Sequence, residues 1–335
     1  MKTINFKHSI IFFNFCILIS PFYFKFSYEP IILCLFLILI VGISHGALDN
    51  IKGKKLLKLF GYNSEFLFYF SYLMISFFII ILWLMFPNII LLFFLIVAAY
   101  HFGKEDTVIE IEKKFLISEF LFFLKGSSVI VAPLLFQRDA TNEIFKILNF
   151  EVFENSIFSN HFLIIFLFLG FLSSIYISNK KSVDIKFLMI MDFLSIIVLN
   201  FFLTPVLAFT IYFCFLHSIR HSITLIFELD KSFKSGFKKF VSKAIPLTLV
   251  TSLIFLIAIY FLNNFYKLDE AIYKVIFIGL ASLTFVSGVI FLFAIYFLNY
   301  IYTLDEAVYK VIFIGLASLT FPHILLEYLL EKNEK

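Results

Sequence analysis

Residues 66–86, FLFYFSYLMISFFIIILWLMF, form an unbroken apolar run that contains no charged side chain. A helix of about 20 apolar residues is long enough to cross a hydrocarbon core of about 30 Å. Comparable runs recur at 9–24, 31–48, 88–103, 115–136, 157–177, 186–203, 205–227 and 244–265, and a further helical region follows them. The sequence therefore predicts an all-α, polytopic transmembrane bundle of about 10–12 helices.

The composition of the whole chain agrees with this class. Of 335 residues, 62% are hydrophobic and 15% are charged, whereas soluble domains are about half apolar and a quarter charged. No stretch is long and polar enough to form a separate soluble domain, so we expect one integral membrane domain over residues 1–335. The net charge of +4 gives no reason to expect a nucleic-acid partner. The three cysteines lie in apolar runs, which argues against a disulfide framework.

Lysine-rich segments set the expected orientation. Segments 49–65, 178–185 and 228–243 are read as basic loops, and the positive-inside rule places them in the cytoplasm. Segment 137–156 is mostly acidic and falls on the outer side. Alternating crossings then put the N-terminus in the cytoplasm. We expect the first apolar run to be a retained helix, because no small-residue cleavage site follows it.

Four histidines are expected at similar depth near the cytoplasmic side. His45 ends the second apolar run, His101 ends the fourth, and His217 and His221 lie in the eighth. A spacing of four residues places the last two on one face of an α-helix. Imidazole is a common ligand of Fe(II), Zn(II) and Cu(II), and ionisable groups inside a membrane indicate function. The pattern predicts a metal site at this depth.

Carboxylates follow two of these histidines. Asp49 is four residues after His45, and Glu105 and Asp106 are four and five residues after His101. Metal-bound imidazoles usually donate their second N–H to a carboxylate or a carbonyl, which fixes the tautomer. Asp49 and Asp106 are therefore candidate partners of the ligands across the bundle, although charged residues at helix ends have the same appearance.

Three other charged or ionisable residues were expected to lie away from the metal. Arg220, between the two histidines of the eighth run, should point away from them and extend to the membrane interface. His8, at the edge of the first run, and His161, at an outer helix end, are expected to have structural or interfacial positions.

Residues 250–285 and 286–321 are a tandem duplication with 28 of 36 positions identical. The first copy runs on into Val286-Ser287, whereas the second is followed by Pro322-His323, so one copy alone offers a histidine. His323 reaches the side of the other four histidines only if the chain turns at Ser287-Gly288. The sequence leaves this point open.

The residues alone leave three kinds of function open. The first is a metal-dependent membrane enzyme. The second is a non-enzymatic assembly factor whose histidines bind a metal or a pigment structurally, and the third is a metal-binding transporter. His-Glu-x-x-His and Gly-rich phosphate motifs are both absent, which argues against a zinc protease and a nucleotide-dependent enzyme.

Four short blocks resemble a known family. They are SHGALD at 44–49, YHFG at 100–103 with Asp106, FLHSIRH at 215–221 and FPHIL at 321–325. Together they are similar to the signature blocks of the bacterial and archaeal Brp/Blh family of membrane β-carotene 15,15′-dioxygenases. The chain departs from the family pattern at Ser44, where proline is common, and in the extra 36-residue unit.

The resemblance implies a non-haem Fe(II) oxygenase in the cell inner membrane. It would cleave the central 15,15′ double bond of β-carotene with O2 and give two all-trans-retinal, which a rhodopsin could bind downstream. Beside this enzyme, the assembly factor left open above would be a non-enzymatic retinal or opsin assembly factor. The iron ligands would be His45, His101, His217 and His221. Asp49, Asp106 and His323 would lie in the surrounding shell. A substrate tunnel would be lined by aromatic residues, with the candidates Tyr100, Phe102, Tyr212 and Phe215.

Overall fold

The computed structural model describes residues 2–23, 49–107, 115–150, 159–179, 181–244 and 304–333, with a few positions between 33 and 48. Helices dominate this part of the chain, and it contains no β-strand. In chain order they are α1 (Lys2–Tyr23), α2 (Asp49–Leu59), α3 (Glu65–Met85), α4 (Pro87–Glu105), α5 (Phe115–Phe136), α6 (Arg138–Ile147), α7 (Asn160–Ser178), α8 (Val183–Phe202), α9 (Pro205–Ile211), a π-helical segment (Tyr212–Ser218), α10 (Ile219–Leu229) and α11 (Leu304–Asn333). Residues 233–244 are also helical.

Several of these helices begin at recognisable capping residues. The Ser64 hydroxyl accepts a hydrogen bond from the backbone N–H of Leu67 at the start of α3, and Ser159 does the same at the start of α7. Pro87 begins α4 and Pro205 begins α9. Proline suits the first turn of a helix because the N–H groups of that turn have no acceptor within the helix, so the N–H that proline lacks is not needed there.

The prediction of an all-α membrane protein is confirmed. Within the described residues, eight helices are long and apolar enough to cross a membrane, among them Phe66–Met85, where the apolar run 66–86 was predicted. The predicted spans 31–48 and 244–265, the first repeat copy and the Ser287-Gly288 join lie mainly or wholly outside the described residues. The chain separates into two compact units by contact, residues 1–34 with 91–227 and residues 35–90 with 228–335.

Three segments that we expected to be loops are helical. Segment 49–65 contains α2, segment 137–156 contains α6, and segment 228–243 falls largely within the helical residues 233–244. Hydropathy reports whether a segment is apolar enough to enter the hydrocarbon layer, and it says nothing about the backbone of a polar segment. Short amphipathic helices are therefore read as loops.

In the unit formed by residues 1–34 and 91–227, small residues allow close helix crossings. A Cβ on Gly103 of α4 would lie 1.8 Å from the carbonyl oxygen of Phe122 in α5, and one on Gly126 would lie 1.9 Å from that of Ala99. Close approach through small residues is the usual packing of membrane helices. This crossing holds the end of α4, which carries His101, against α5.

In the unit formed by residues 35–90 and 228–335, α11 packs against α2 and α3. Leu56, Leu326 and Leu330 form a buried apolar cluster. Lys52 on α2 forms an ion pair with Glu327 on α11, with 2.5 Å between Nζ and Oε1. These contacts fix the register of α2 against the helix that carries His323.

Candidate metal centre

The helix that carries His217 and His221 is interrupted by π-helical geometry. Residues Tyr212–Ser218 are π-helical, between α9 and α10. In a π-helix each N–H bonds the fifth residue back, which makes the turn wider, and such segments occur frequently at functional sites. Our sequence argument assumed an uninterrupted α-helix. The change of register rotates His217 relative to His221. The residue types in the segment do not predict this π-helical geometry.

His217 lies at the centre of a buried hydrogen-bond network. Its Nδ1 is 3.0 Å from Oδ1 of Asp106, and the Tyr212 hydroxyl donates to Oδ2 of the same carboxylate at 2.5 Å. The ring centroid of His217 lies 5.2 Å from that of His101. Two of the four predicted ligands are therefore adjacent, and the predicted partner Asp106 contacts one of them.

His221 has a carboxylate partner of its own. Its Nδ1 lies 3.1 Å from Oε2 of Glu105. Glu105 and Asp106 are consecutive residues at the end of α4, and they contact the two histidines of the π-helical segment and α10. The sequence argument considered Glu105 as a carboxylate near His101 but did not include it in the predicted site.

A third pair of this kind lies in the other unit. The Nδ1 of His323 is 2.9 Å from both carboxylate oxygens of Asp49. The Tyr72 hydroxyl also bonds Asp49, at 3.1 Å from Oδ2. Asp49 and His323, both predicted to surround the metal, are thus in direct contact. His45, the predicted ligand four residues before Asp49, lies outside the described residues.

The three pairs share one chemical consequence. A carboxylate can only accept, so in each pair Nδ1 carries the proton, and Nε2 is the nitrogen suited to a metal. Burial alone would raise the pKa of Asp106, but His217, Arg220 and Lys125 outweigh burial and hold it below its usual range. Burial would likewise raise the pKa of Asp49, which His323, Tyr72 and Lys52 lower. Both groups are therefore carboxylates.

Our expectation for Arg220 is wrong. Its side chain is 1% exposed, and it forms a bidentate ion pair with Asp192 on α8, at 2.5 and 3.0 Å. Arg220 also donates to the backbone carbonyl of Asp106 at 3.2 Å. The long aliphatic stem suggested a side chain that reaches the interface, but a buried carboxylate at the right depth binds the guanidinium more strongly.

Lys125 is a further buried charge that sequence reasoning did not include in the site. Its Nζ donates to the backbone carbonyl of Asp106 and to the Thr107 hydroxyl, both at 2.9 Å. The Asp106 backbone thus receives hydrogen bonds from two cations. Lys125 and Asp192 each stand in an apolar run, and an ionisable residue in such a run is itself a signal of function.

The four predicted tunnel residues have different surroundings. The ring of Phe102 lies 4.9 Å from that of His217 and 5.5 Å from that of Tyr212. Tyr100 bonds Glu119 on α5 through its hydroxyl. Phe215 packs on Phe15 of α1 with 5.8 Å between ring centroids. Phe102 and Tyr212 therefore adjoin the histidines, whereas the other two face neighbouring helices.

A small cavity of about 20 Å³ lies beside Phe102, with Lys125, Asp192 and Tyr212 among its lining residues. This volume suits about one water molecule. It is far smaller than a carotenoid, so the predicted tunnel stays a prediction. His161, expected at an outer helix end, is exposed at the start of α7.

Comparisons with known proteins agree with the resemblance of the four blocks. The profile of the family described as "Beta-carotene 15,15'-dioxygenase" matches residues 36–287. A curated protein called "Beta-carotene 15,15'-dioxygenase", from uncultured marine bacterium 66A03, is 29% identical over 260 residues, which cover 74% of this chain and 87% of that protein. No solved structure matches the chain significantly. The family match contains all four predicted ligands and ends two residues into the second repeat copy.

Proposed function

The chain belongs to the β-carotene 15,15′-dioxygenase family of carotenoid-cleaving enzymes, and from this premise we propose that it splits the central double bond of β-carotene with O2. Each carbon of the cleaved bond receives one oxygen atom, so the products are two molecules of all-trans-retinal. The reaction consumes one O2 and needs no external reductant. Family membership confirms the resemblance that four short blocks predicted.

We propose Fe(II) as the cofactor, held by His45, His101, His217 and His221. The adjacent rings of His101 and His217, 5.2 Å apart, support this most directly. Imidazoles are suitable ligands for Fe(II), and the buried carboxylate partners of His217 and His221 are those that metal-bound histidines usually have. The donor set of the described residues therefore fits iron.

When bound, iron supplies the redox chemistry with O2 that amino-acid side chains lack. The protein's own contribution is to orient the ligands and to exclude water. Asp106 and Glu105 fix the tautomers of His217 and His221 and the planes of their rings. Arg220 and Lys125 hold the backbone of Asp106, and the Tyr212 hydroxyl holds its carboxylate beside His217. Asp49 and His323 are proposed to surround the metal in the same way without binding it.

β-Carotene is a hydrocarbon that dissolves in the bilayer, so a binding site must hold it by shape and apolar contact. Phe102 and Tyr212 lie against His217 and are the best supported walls of such a site. Tyr100 and Phe215, which contact neighbouring helices, remain candidates. A tunnel that fixes the position of the polyene would decide which double bond is cut.

The proposed location is the cell inner membrane, with the N-terminus in the cytoplasm. Eight described helices can cross a membrane, and the lysine-rich segments support this orientation. Entry of the substrate from the lipid and release of retinal into it would need no aqueous path.

Expression in a β-carotene-producing host tests the reaction. The chain should bleach the orange pigment and accumulate retinal. His217→Ala should abolish both effects, while the exposed His161→Ala should not change them. Full pigment with normal amounts of membrane-inserted protein would contradict the proposal.

A further inference from the structure

Two consecutive residues of the N-terminal helix contact the segment that bears the candidate ligands. The Nε2 of His8 lies 2.8 Å from the backbone carbonyl oxygen of Phe215. The Ser9 hydroxyl accepts a hydrogen bond of 2.7 Å from Nη2 of Arg220. Phe215 precedes His217 by two residues, and Arg220 directly precedes His221. Helix α1 therefore contacts the backbone or side chains on both sides of His217.

The contact with Phe215 falls within the π-helical segment. In such a segment the carbonyls leave the α-helical register, and a side chain that bonds one of them fixes the place where the register changes. A carbonyl only accepts, so His8 is the donor and carries its proton on Nε2. Rotation of the segment about its axis would break this bond and turn the His217 ring away from Asp106.

The contact with Arg220 adds a further acceptor to a buried guanidinium. Asp192 binds one edge in bidentate fashion, the Asp106 carbonyl accepts from Nη1, and Ser9 accepts from Nη2. Ser9 is 1% exposed. It therefore helps to hold the side chain that links the backbone of α10 to the end of α4.

Two further observations show that α1 is built into this region. Its Phe15 ring packs on Phe215, and buried Asn5, Cys16 and Ser20 line the same face of the helix. Helix α1 ends at Tyr23, and the family match begins only at residue 36. The match thus assigns no role to this helix.

We propose that the N-terminal helix is a positioning element of the metal centre, in which His8 fixes the π-helical segment that carries His217 and Ser9 fixes Arg220. The metal part of this inference rests on the proposed function. The positioning part concerns the chain's own conformation, and it is measurable without metal or substrate.

Full-length protein in lipid nanodiscs provides the test, with three variants and one control. His8→Leu removes the donor, and His8→Gln retains an N–H donor at the end of a side chain of similar length. Ser9→Ala deletes a single oxygen atom. His161→Leu removes an exposed histidine from α7 and serves as the matched control.

Hydrogen–deuterium exchange of the metal-free protein is the first measurement. In His8→Leu, backbone amides of Tyr212–Ser218 should exchange about ten-fold faster or more, because the bond that closes the segment is lost. His8→Gln should restore most of the protection, and His161→Leu should match the unchanged protein. Unchanged protection in a folded His8→Leu variant would overturn the proposal.

Iron affinity and the visible spectrum of the Co(II)-substituted protein are the second measurement. His8→Leu and Ser9→Ala should weaken iron binding by about 10–100-fold, the range seen for outer partners of metal ligands. The Co(II) bands should shift in His8→Leu and return in His8→Gln. A general packing defect would not be rescued by glutamine in this way. If His8→Leu fails to fold, the iron affinity of Ser9→Ala tests the proposal instead. Wild-type iron affinity in Ser9→Ala would then refute the positioning role of α1.

The two proposals fail in different ways. If the wild-type protein makes no retinal but exchange in Tyr212–Ser218 depends on His8, the reaction is wrong and the positioning role stands. If the wild-type protein makes retinal and all α1 variants match it in exchange, affinity and spectrum, the reaction stands and the positioning role is wrong.

Discussion

The Nδ1 of His217 lies 3.0 Å from Oδ1 of Asp106, and both side chains are buried. This contact joins the π-helical segment to the end of α4. It fixes the plane of the ring and places the proton on Nδ1, which prepares Nε2 for a metal. The same relationship recurs between His221 and Glu105.

Asp106→Asn should lower iron affinity and retinal formation by about 10–100-fold, because the amide no longer forces the His217 tautomer. Iron content after dialysis and retinal produced per minute are the measurements. Asp184→Asn removes an exposed carboxylate at the start of α8 and should leave both unchanged. Equal losses in the two variants would show that the effect is not specific to the pair.

Arg220→Met should destabilise the protein by about 3–5 kcal/mol, because it leaves the Asp192 carboxylate buried without its ion-pair partner. The double variant with Asp192→Leu should recover much of the loss. The midpoints of thermal unfolding in the same detergent measure the loss of stability in Arg220→Met and its recovery in the double variant. Lys239→Ala, which removes the exposed ion-pair partner of Asp230, should not move the unfolding midpoint. A double variant no better than Arg220→Met would contradict the assigned pairing.

Asp49→Asn and His323→Ala should each reduce retinal formation and retain part of the iron. The double variant should be no worse than the more damaging single change, because the two side chains act as one hydrogen-bonded pair. A double-mutant cycle on activity and iron content measures this coupling. Complete loss of iron in His323→Ala alone would place His323 among the ligands and contradict its proposed outer position.

The sequence predicted the membrane helices well because hydropathy is a property of each run by itself. The run at 66–86 became the span Phe66–Met85. The position of Arg220 depended on something that no local pattern contains, namely a carboxylate on α8, 28 residues earlier. Which histidine Asp106 would contact likewise depended on which helices are neighbours. That Asp106 would be the partner of a histidine was predicted.

The π-helical segment and the role of His8 were beyond sequence reasoning for a different reason. A π turn differs from an α turn by one residue of register, and the apolar residues of FCFLHS are compatible with both. His8 was expected to have a structural or interfacial position, because it stands near the start of an apolar run. Its contact with Phe215 follows from the packing of α1, which a single sequence does not reveal.

Deletion of residues 250–285 should leave activity equal or higher. A single copy of the unit then precedes Pro322-His323, and none of the four proposed ligands lies in the deleted unit. Retinal formation and iron content of the shortened chain are the measurements, compared at equal amounts of membrane-inserted protein. Complete loss of iron would show that the first copy is part of the site.

The most direct test of the central claim uses purified protein loaded with Fe(II) and supplied with β-carotene and a measured amount of O2. The account predicts two molecules of retinal for each β-carotene and each O2 consumed, and no product when His101 or His217 is replaced by alanine. Longer apocarotenals as a substantial share of the products, or retinal formation that persists in both variants, would contradict it.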